Sequence, residues 1–379
     1  MEFMVWLVHE ATPEQLAWLR SIGVTKVLLA LPNFQVPDII TRCHQAGLKV
    51  VARWPEWKQL ELNTEQYSFR NYLREKCPFD DEDTAGPSYW CPIAHKEALK
   101  SMRRYKELSL DGILVAPRYS DVPYPHFWEA VARDQNRYNT QYWCHDDWAI
   151  EDWKQNGFSG NPPTHATLNE DGTVDPDPTF YQWYQGAWKN RLYVLTKCAL
   201  ENGFTDLYTW HLPLSAATLE NVSLGTYRSE HIYQGWVDQC QLAQASPTLI
   251  SACLFGAFHS QRTTAIAEVE RLSSRHGWSM MVGAEVCHSS ESVLPSLVTN
   301  GLYAKERGWS LFGSGRYLFD QNNTHALSVF VPHLLTTEKT EHEDLASEAS
   351  VCESAAELSV PDLPTGPDVC GSEAGDAGA

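Results

Sequence analysis

The stretch Leu110-Asp111-Gly112-Ile113-Leu114-Val115-Ala116-Pro117-Arg118-Tyr119-Ser120-Asp121 decides the reading of the fold. It opens on an Asp-Gly turn and continues as an apolar run, Ile113 to Ala116. That run is too short for a helix and rich enough in branched residues for a buried strand. It closes on Arg118, Tyr119, Ser120 and Asp121. A turn, a buried strand and then chemical groups is the order of a parallel barrel strand whose C-terminal end opens onto an active site. A surface hairpin would alternate apolar and polar residues instead.

Working outward, strand patterns recur and each is followed by a helical pattern. Upstream, strands are expected at Met4–His9, Lys26–Leu31 and Lys49–Trp54. Helices lie between them, one starting at Pro13 with Thr12 as its N-cap and ending at Gly23, another running to Gly47. Downstream, strands are expected at Phe204–Leu214, Thr248–Gly256, Ser279–His288 and Trp309–Phe319. Eight strands separated by helices give a (β/α)8 TIM barrel over residues 1–335. Long loop insertions follow strand three (Glu56–Pro92) and strand four (Asp121–Pro178).

The 379-residue chain has a globular composition, 43% hydrophobic and 12% aromatic, with fifteen Trp and sixteen Tyr. Part of that aromatic content is core. The remainder suits a cleft for carbohydrate, since sugar rings stack their C–H faces on aromatic planes. The net charge of −19 excludes nucleic acid and anionic membranes as partners. From Glu338 onward eleven acids face one base, Lys339. Residues 336–379 read as a disordered acidic tail. Ten Cys without a Cys-x-x-Cys pair point to free thiols rather than a disulfide scaffold or zinc site. The N-terminus lacks a signal-peptide pattern, so a cytoplasmic setting is expected. No apolar run is long enough to span a membrane. The oligomeric state is not legible.

Candidate chemistry lies at strand C-terminal ends: His9 and Glu10, Trp54, Arg118 with Tyr119 and Asp121, Trp210 with His211, and Glu285. Glu285 sits among small and apolar neighbours, where a carboxylate needs a partner or a task. Asp121 is the natural second carboxylate for glycoside hydrolysis, and Asp146 and Asp147 compete with it. Arg118, Tyr119, His145, Asp146, His211 and His9 are expected to contact substrate, and Trp54 and Trp210 to stack on it. Asp111 precedes its strand, so it faces the bottom of the barrel and reads as structural. No dinucleotide, phosphate-loop or serine-nucleophile motif is present, and no cofactor is expected.

The helix leading into Leu110–Ile113, the insertion Trp143–Phe158, the segment Tyr233–Trp236, and Gly283-Ala284-Glu285 with Ala304–Phe312 together resemble the glycosyl-hydrolase-like barrel family. Those proteins are similar to the retaining clan-A glycosidases. The resemblance implies a barrel with a carbohydrate-related role and a nucleophilic Glu at the end of strand seven, where Glu285 stands. In clan-A enzymes an Asn-Glu pair ends strand four. Here that place holds Arg118-Tyr119-Ser120-Asp121, and Val115-Ala116-Pro117 stands where the related barrels often carry an Asp. The expected activity is therefore glycoside hydrolysis by Glu285 and Asp121. The alternatives are a carbohydrate-binding barrel without activity, and a metal-dependent hydrolase using His145, Asp146 and His211.

Overall fold

A computed structural model describes residues 1–7, 10–30, 36–57, 60, 62, 64–76, 87–117, 142, 144–164, 167–168, 174–175, 178–211, 230–251, 269–284, 301–302, 304–314, 319, 324, 328 and 331. They belong to a compact unit, Met1–Thr336; the second unit, Thr337–Ala379, and the expected acidic tail at 336–379 lie outside them.

The strands are β1 (Phe3–Leu7), β2 (Lys26–Leu29), β3 (Lys49–Trp54), β4 (Gly112–Val115), β5 (Thr167–Leu168), β6 (Val174–Asp175), β7 (Asp206–His211), β8 (Ser246–Ser251), β9 (Ser279–Ala284) and β10 (Ser310–Ser314). Eight of them close a parallel barrel in the order β1-β10-β9-β8-β7-β4-β3-β2. β5 and β6 form a separate antiparallel pair inside the second insertion, where only loop is expected from the sequence. With that pair set aside, β7, β8, β9 and β10 are the fifth to eighth barrel strands, so the fold is a (β/α)8 TIM barrel.

Local chemistry explains the elements. Helix Pro13–Ser21 starts with a reciprocal capping box: the Thr12 side chain accepts from the Gln15 N–H, and the Gln15 side chain accepts from the Thr12 N–H. It stops before Gly23, whose φ of 99° suits a residue without Cβ. Gly112, in the deciding stretch, is needed for closure. A Cβ there would lie 2.8 Å from the Asp206 carbonyl oxygen on the neighbouring strand. Asp111 sits below the strand as expected. Its Oδ2 accepts the Val50 N–H at 2.7 Å and lies 2.9 Å from His44 Nε2.

Side chains alternate between the two faces of each strand. One set (Phe3, Val5, Val27, Val50, Ala52, Trp54, Ile113, Leu207, Leu249, Met280, Leu311) packs against the helices. The other (Met4, Leu28, Val51, Leu114, Tyr208, Trp210, Ile250, Met281, Phe312) fills the barrel, with Trp6 against it. At the N-terminal ends the filling is polar and saturated. Lys26 Nζ donates to Asp206 Oδ2 (2.9 Å) and Tyr208 Oη (2.6 Å) and pairs with Glu2 at 3.2 Å. Among the described residues no helix is long and apolar enough to cross a membrane, and Cys43, Cys91, Cys144, Cys198 and Cys240 are free thiols.

Candidate active site at the C-terminal mouth

In a parallel barrel the strand C-termini converge on one rim, and that rim carries function. Three inward side chains form its floor: Trp6 at the top of β1, Arg53 near the top of β3 and Trp210 near the top of β7. The Trp6 and Trp210 ring centroids are 6.2 Å apart with the planes tilted by 52°, and Trp210 meets Phe312 edge-on at 5.4 Å. The Arg53 guanidinium carbon lies 5.8 Å from the Trp6 ring centroid. Arg53 donates through Nε and Nη2 to both carboxylate oxygens of Glu56, at 2.7 and 2.6 Å. Both side chains are at most 3% exposed. Replacing a buried ion pair by apolar residues is often neutral or stabilising. The pair is therefore weak evidence for stability by itself. Both indole Nε1 atoms of the floor are buried and have no hydrogen-bond partner among the described residues.

The end of β4 is clamped from outside. Trp57 Nε1 donates to the Ala116 carbonyl at 3.0 Å. The fully buried Arg191, from helix Pro178–Glu201, donates to the carbonyls of Pro87 (2.8 Å), Ser88 and Pro117 (3.4 Å) and to His95 Nε2 (2.8 Å). Burial, reinforced by the Arg191 charge, pushes His95 down to about 3, so its ring is neutral and its Nε2 accepts. The guanidinium also lies over the rings of Trp57 and Tyr89, 4.9 and 5.1 Å from their centroids. The chain thus leaves the barrel at Pro117 from a fixed point.

The expected site residues scatter. His9, Arg118, Tyr119, Asp121 and Glu285 lie outside the described residues. Trp210 lines the barrel interior. Trp54 does not. It has no exposed surface, packs in the helix layer beside Tyr105, and donates Nε1 to Ser101 Oγ at 2.9 Å. Side-chain alternation turns Trp54 outward once Arg53 turns inward, so its expected stacking on substrate is corrected. His211 also faces outward, 2% exposed, its ring 5.0 Å from that of Tyr233.

His145 and Asp146 open a helix rather than facing a cleft. Asp146 is the N-cap of Asp147–Gln155 and its Oδ1 accepts the Ala149 N–H at 3.1 Å. Burial raises its carboxyl to about 6. His145 is buried, with Nε2 3.1 Å from the Pro162 carbonyl oxygen. Arg74 donates to the His145 carbonyl and to Asp147. No group of three His, Cys, Asp or Glu among the described residues could hold a metal ion.

Sequence reasoning missed Trp6, Arg53 and Glu56. A signal was present, since Arg53 interrupts the apolar run Val50-Val51-Ala52, and an arginine inside a buried strand needs a partner.

No protein-family model and no curated protein matches the sequence. Among solved structures the chain is similar to the catalytic domain of a β-amylase from Paenibacillus polymyxa, with TM-score 0.60 and 13% identity, over 88% of this chain and 98% of that one. It is also similar to β-galactosidases from Marinomonas ef1 (TM-score 0.50, 14% identity, 95% of this chain) and Halorubrum lacusprofundi (TM-score 0.52, 9% identity, 89% of this chain). It spans about three fifths of each of those two chains, 61% and 59%. At these identities the likeness is one of fold alone: the chain is a (β/α)8 barrel.

Proposed function

We propose that the protein is a glycoside hydrolase working by two-carboxylate chemistry at the C-terminal mouth. Glu285 is the nucleophile or base and Asp121 the proton donor, while Arg118, Tyr119 and His9 contact the sugar. The observation that carries this reading is topological. β9, the seventh barrel strand, ends at Ala284, and the next residue in the chain is Glu285. Asp121 follows in sequence four residues after Pro117, the clamped exit of β4.

In the reaction Asp121 gives its proton to the glycosidic oxygen as the bond to the anomeric carbon breaks. Glu285 either attacks that carbon or takes a proton from the water that does, and water supplies the new hydroxyl. A separation of about 5 Å between the carboxyls gives retention and one of about 6.5–9.5 Å gives inversion.

The test is turnover of aryl glycosides and natural polysaccharides by the wild type, Glu285→Gln and Asp121→Asn. The expected result is hydrolysis of at least one substrate by the wild type, lost in Glu285→Gln. For Asp121→Asn, loss is expected to be smallest on substrates with good leaving groups, which need no protonation. A Glu285→Gln protein with full turnover overturns the reading. A second reading, a barrel that binds glycan without cleaving it, is favoured by the absence of a carboxylate from Val115-Ala116-Pro117 at the end of β4. Oligosaccharide binding with no product from the wild type would select it.

A further inference from the structure

The shortest seam of the barrel is β4 against β7. They pair at two positions, whereas β7 and β8 pair at six. Past that seam, three side chains from three different elements take the next carbonyls of β4 in turn. Thr209 Oγ1, on β7, donates to Val115 at 3.0 Å; Trp57 Nε1, in the loop after β3, donates to Ala116 at 3.0 Å; Arg191 Nη1 donates to Pro117 at 3.4 Å. Buried carbonyls beyond a ladder need donors, and here each has its own.

Arg191 is the hub of this arrangement. Its guanidinium carbon lies 4.9 Å from the Trp57 ring centroid, so it also backs the indole that holds Ala116. The same guanidinium donates to Pro87 and Ser88, at the end of the insertion after β3, and to the neutral ring of His95 in helix Pro92–Lys106. One fully buried side chain therefore ties the returning end of that insertion to the exit of β4. Asp121 follows Pro117 by four residues, which span at most about 13–14 Å. A fixed exit confines where that carboxylate can reach.

We propose that Arg191 is a positioning residue for the proton donor: through Pro117 directly, and through Trp57 at Ala116, it sets the place from which the chain departs toward Asp121, without touching substrate itself. This rests on the reading of Asp121 as proton donor and adds to it the residues that hold it in place. A lysine cannot replace the fork, because a single ammonium does not reach acceptors spread around a planar guanidinium.

The experiment compares the full-length wild type, Arg191→Lys and Trp57→Phe in two readouts. The first is kcat on one glycoside carrying dinitrophenyl, nitrophenyl and methyl leaving groups. The second is amide hydrogen exchange at Ala116, whose N–H donates to the Trp54 carbonyl at 2.8 Å, against the amide of Leu249 in β8. Arg191→Lys is expected to lower kcat about a hundredfold on the methyl glycoside and only slightly on the dinitrophenyl one, which needs no proton. Ala116 is expected to exchange roughly ten- to a hundredfold faster while Leu249 stays at the wild-type rate. Trp57→Phe keeps the ring beneath the guanidinium but not the donor, and should act in the same direction with smaller size; where Arg191→Lys fails to fold, it carries the test.

A loss of kcat equal across the three leaving groups marks a purely structural role and overturns the inference. Unchanged exchange at Ala116 also overturns it. Either result, in a protein whose hydrolysis depends on Glu285, leaves the hydrolase standing. A wild type without turnover on any glycoside refutes the hydrolase and the donor with it; faster Ala116 exchange in the variant then still supports the hold on the β4 exit, and unchanged exchange refutes that hold too.

Discussion

The two ends of this barrel are filled differently. At the N-terminal end, Lys26 satisfies Asp206, Tyr208 and Glu2, and Tyr208 Oη donates in turn to Asp206 at 3.0 Å. At the C-terminal end an ion pair of similar quality, Arg53 with Glu56, stands beside two indoles whose N–H groups bond to nothing among the described residues. On β7 the two layers share one strand, with Asp206 and Tyr208 four and two residues before Trp210. The difference teaches that the closed bottom maximises internal pairing and so serves stability, whereas the mouth, where the proposed chemistry lies, leaves donors unpaired. Variants at the two ends should accordingly fail in different ways.

The largest effect is expected at the mouth and in activity alone. Glu285→Gln should reduce turnover by about 10⁴-fold or more while its denaturation midpoint stays at the wild-type value. A large loss of stability in this variant would erase the contrast.

Arg53→Met comes next. It leaves the Glu56 carboxylate buried without its cation, and should cost about 3–5 kcal/mol in chemical denaturation. Arg53→Met with Glu56→Leu should recover most of that stability yet still impair sugar binding, since the pair fixes the wall beside Trp6. A double variant that binds sugar normally would show the pair to be structural, like its counterpart at the bottom.

Lys26→Met should cost about 1–3 kcal/mol and leave turnover unchanged, the mirror image of the first variant. Burial alone would lower the Lys26 ammonium, but Asp206 and Glu2 outweigh it and the net shift is upward from 10.5. The folded state then holds this proton more tightly than the unfolded chain. Its contribution is present below about pH 10.5 and is lost as pH rises through the higher folded value. Stability against pH in that alkaline window should decline in the wild type and be flatter in Lys26→Met.

The smallest effect concerns Asp146, away from both ends. Its carboxyl is raised by burial to about 6 from 3.8. Ionisation therefore opposes folding, and stability falls as pH rises from about 4 to 6. Asn retains the N-cap without the buried charge. Asp146→Asn should flatten that window and gain roughly 1 kcal/mol at neutral pH. An unchanged slope between those pH values would show that Asp146 does not set it.

Much of the fold is legible because its determinants are local. Lys49–Trp54 is a strand with the bounds its composition predicts. The Thr12 cap follows from i to i+3 chemistry, and the turn at Gly47, with φ of 76°, from a backbone that favours glycine. The short pair β5–β6 escaped because strands of two residues carry no periodicity to read.

The site was less legible. Trp54 and Arg53 are neighbours in a strand, and either could have faced the mouth. Asp146 and His145 look like chemistry in sequence, but a buried aspartate before a helix is also the best N-cap available, and here it is one.

By itself, then, the sequence determined the elements, their alternation and the rank of Glu285 behind the seventh barrel strand, because these depend on composition, period and order along the chain. Only the tertiary structure decided that Trp6, Arg53 and Trp210 meet on one floor, that Glu56 neutralises Arg53, and that Trp54 turns away. Those facts depend on which parity of each strand faces inward when the barrel closes and on contacts between residues as far apart as 6 and 210. Closure fixes them through packing summed over the whole sheet, and no local stretch carries that sum.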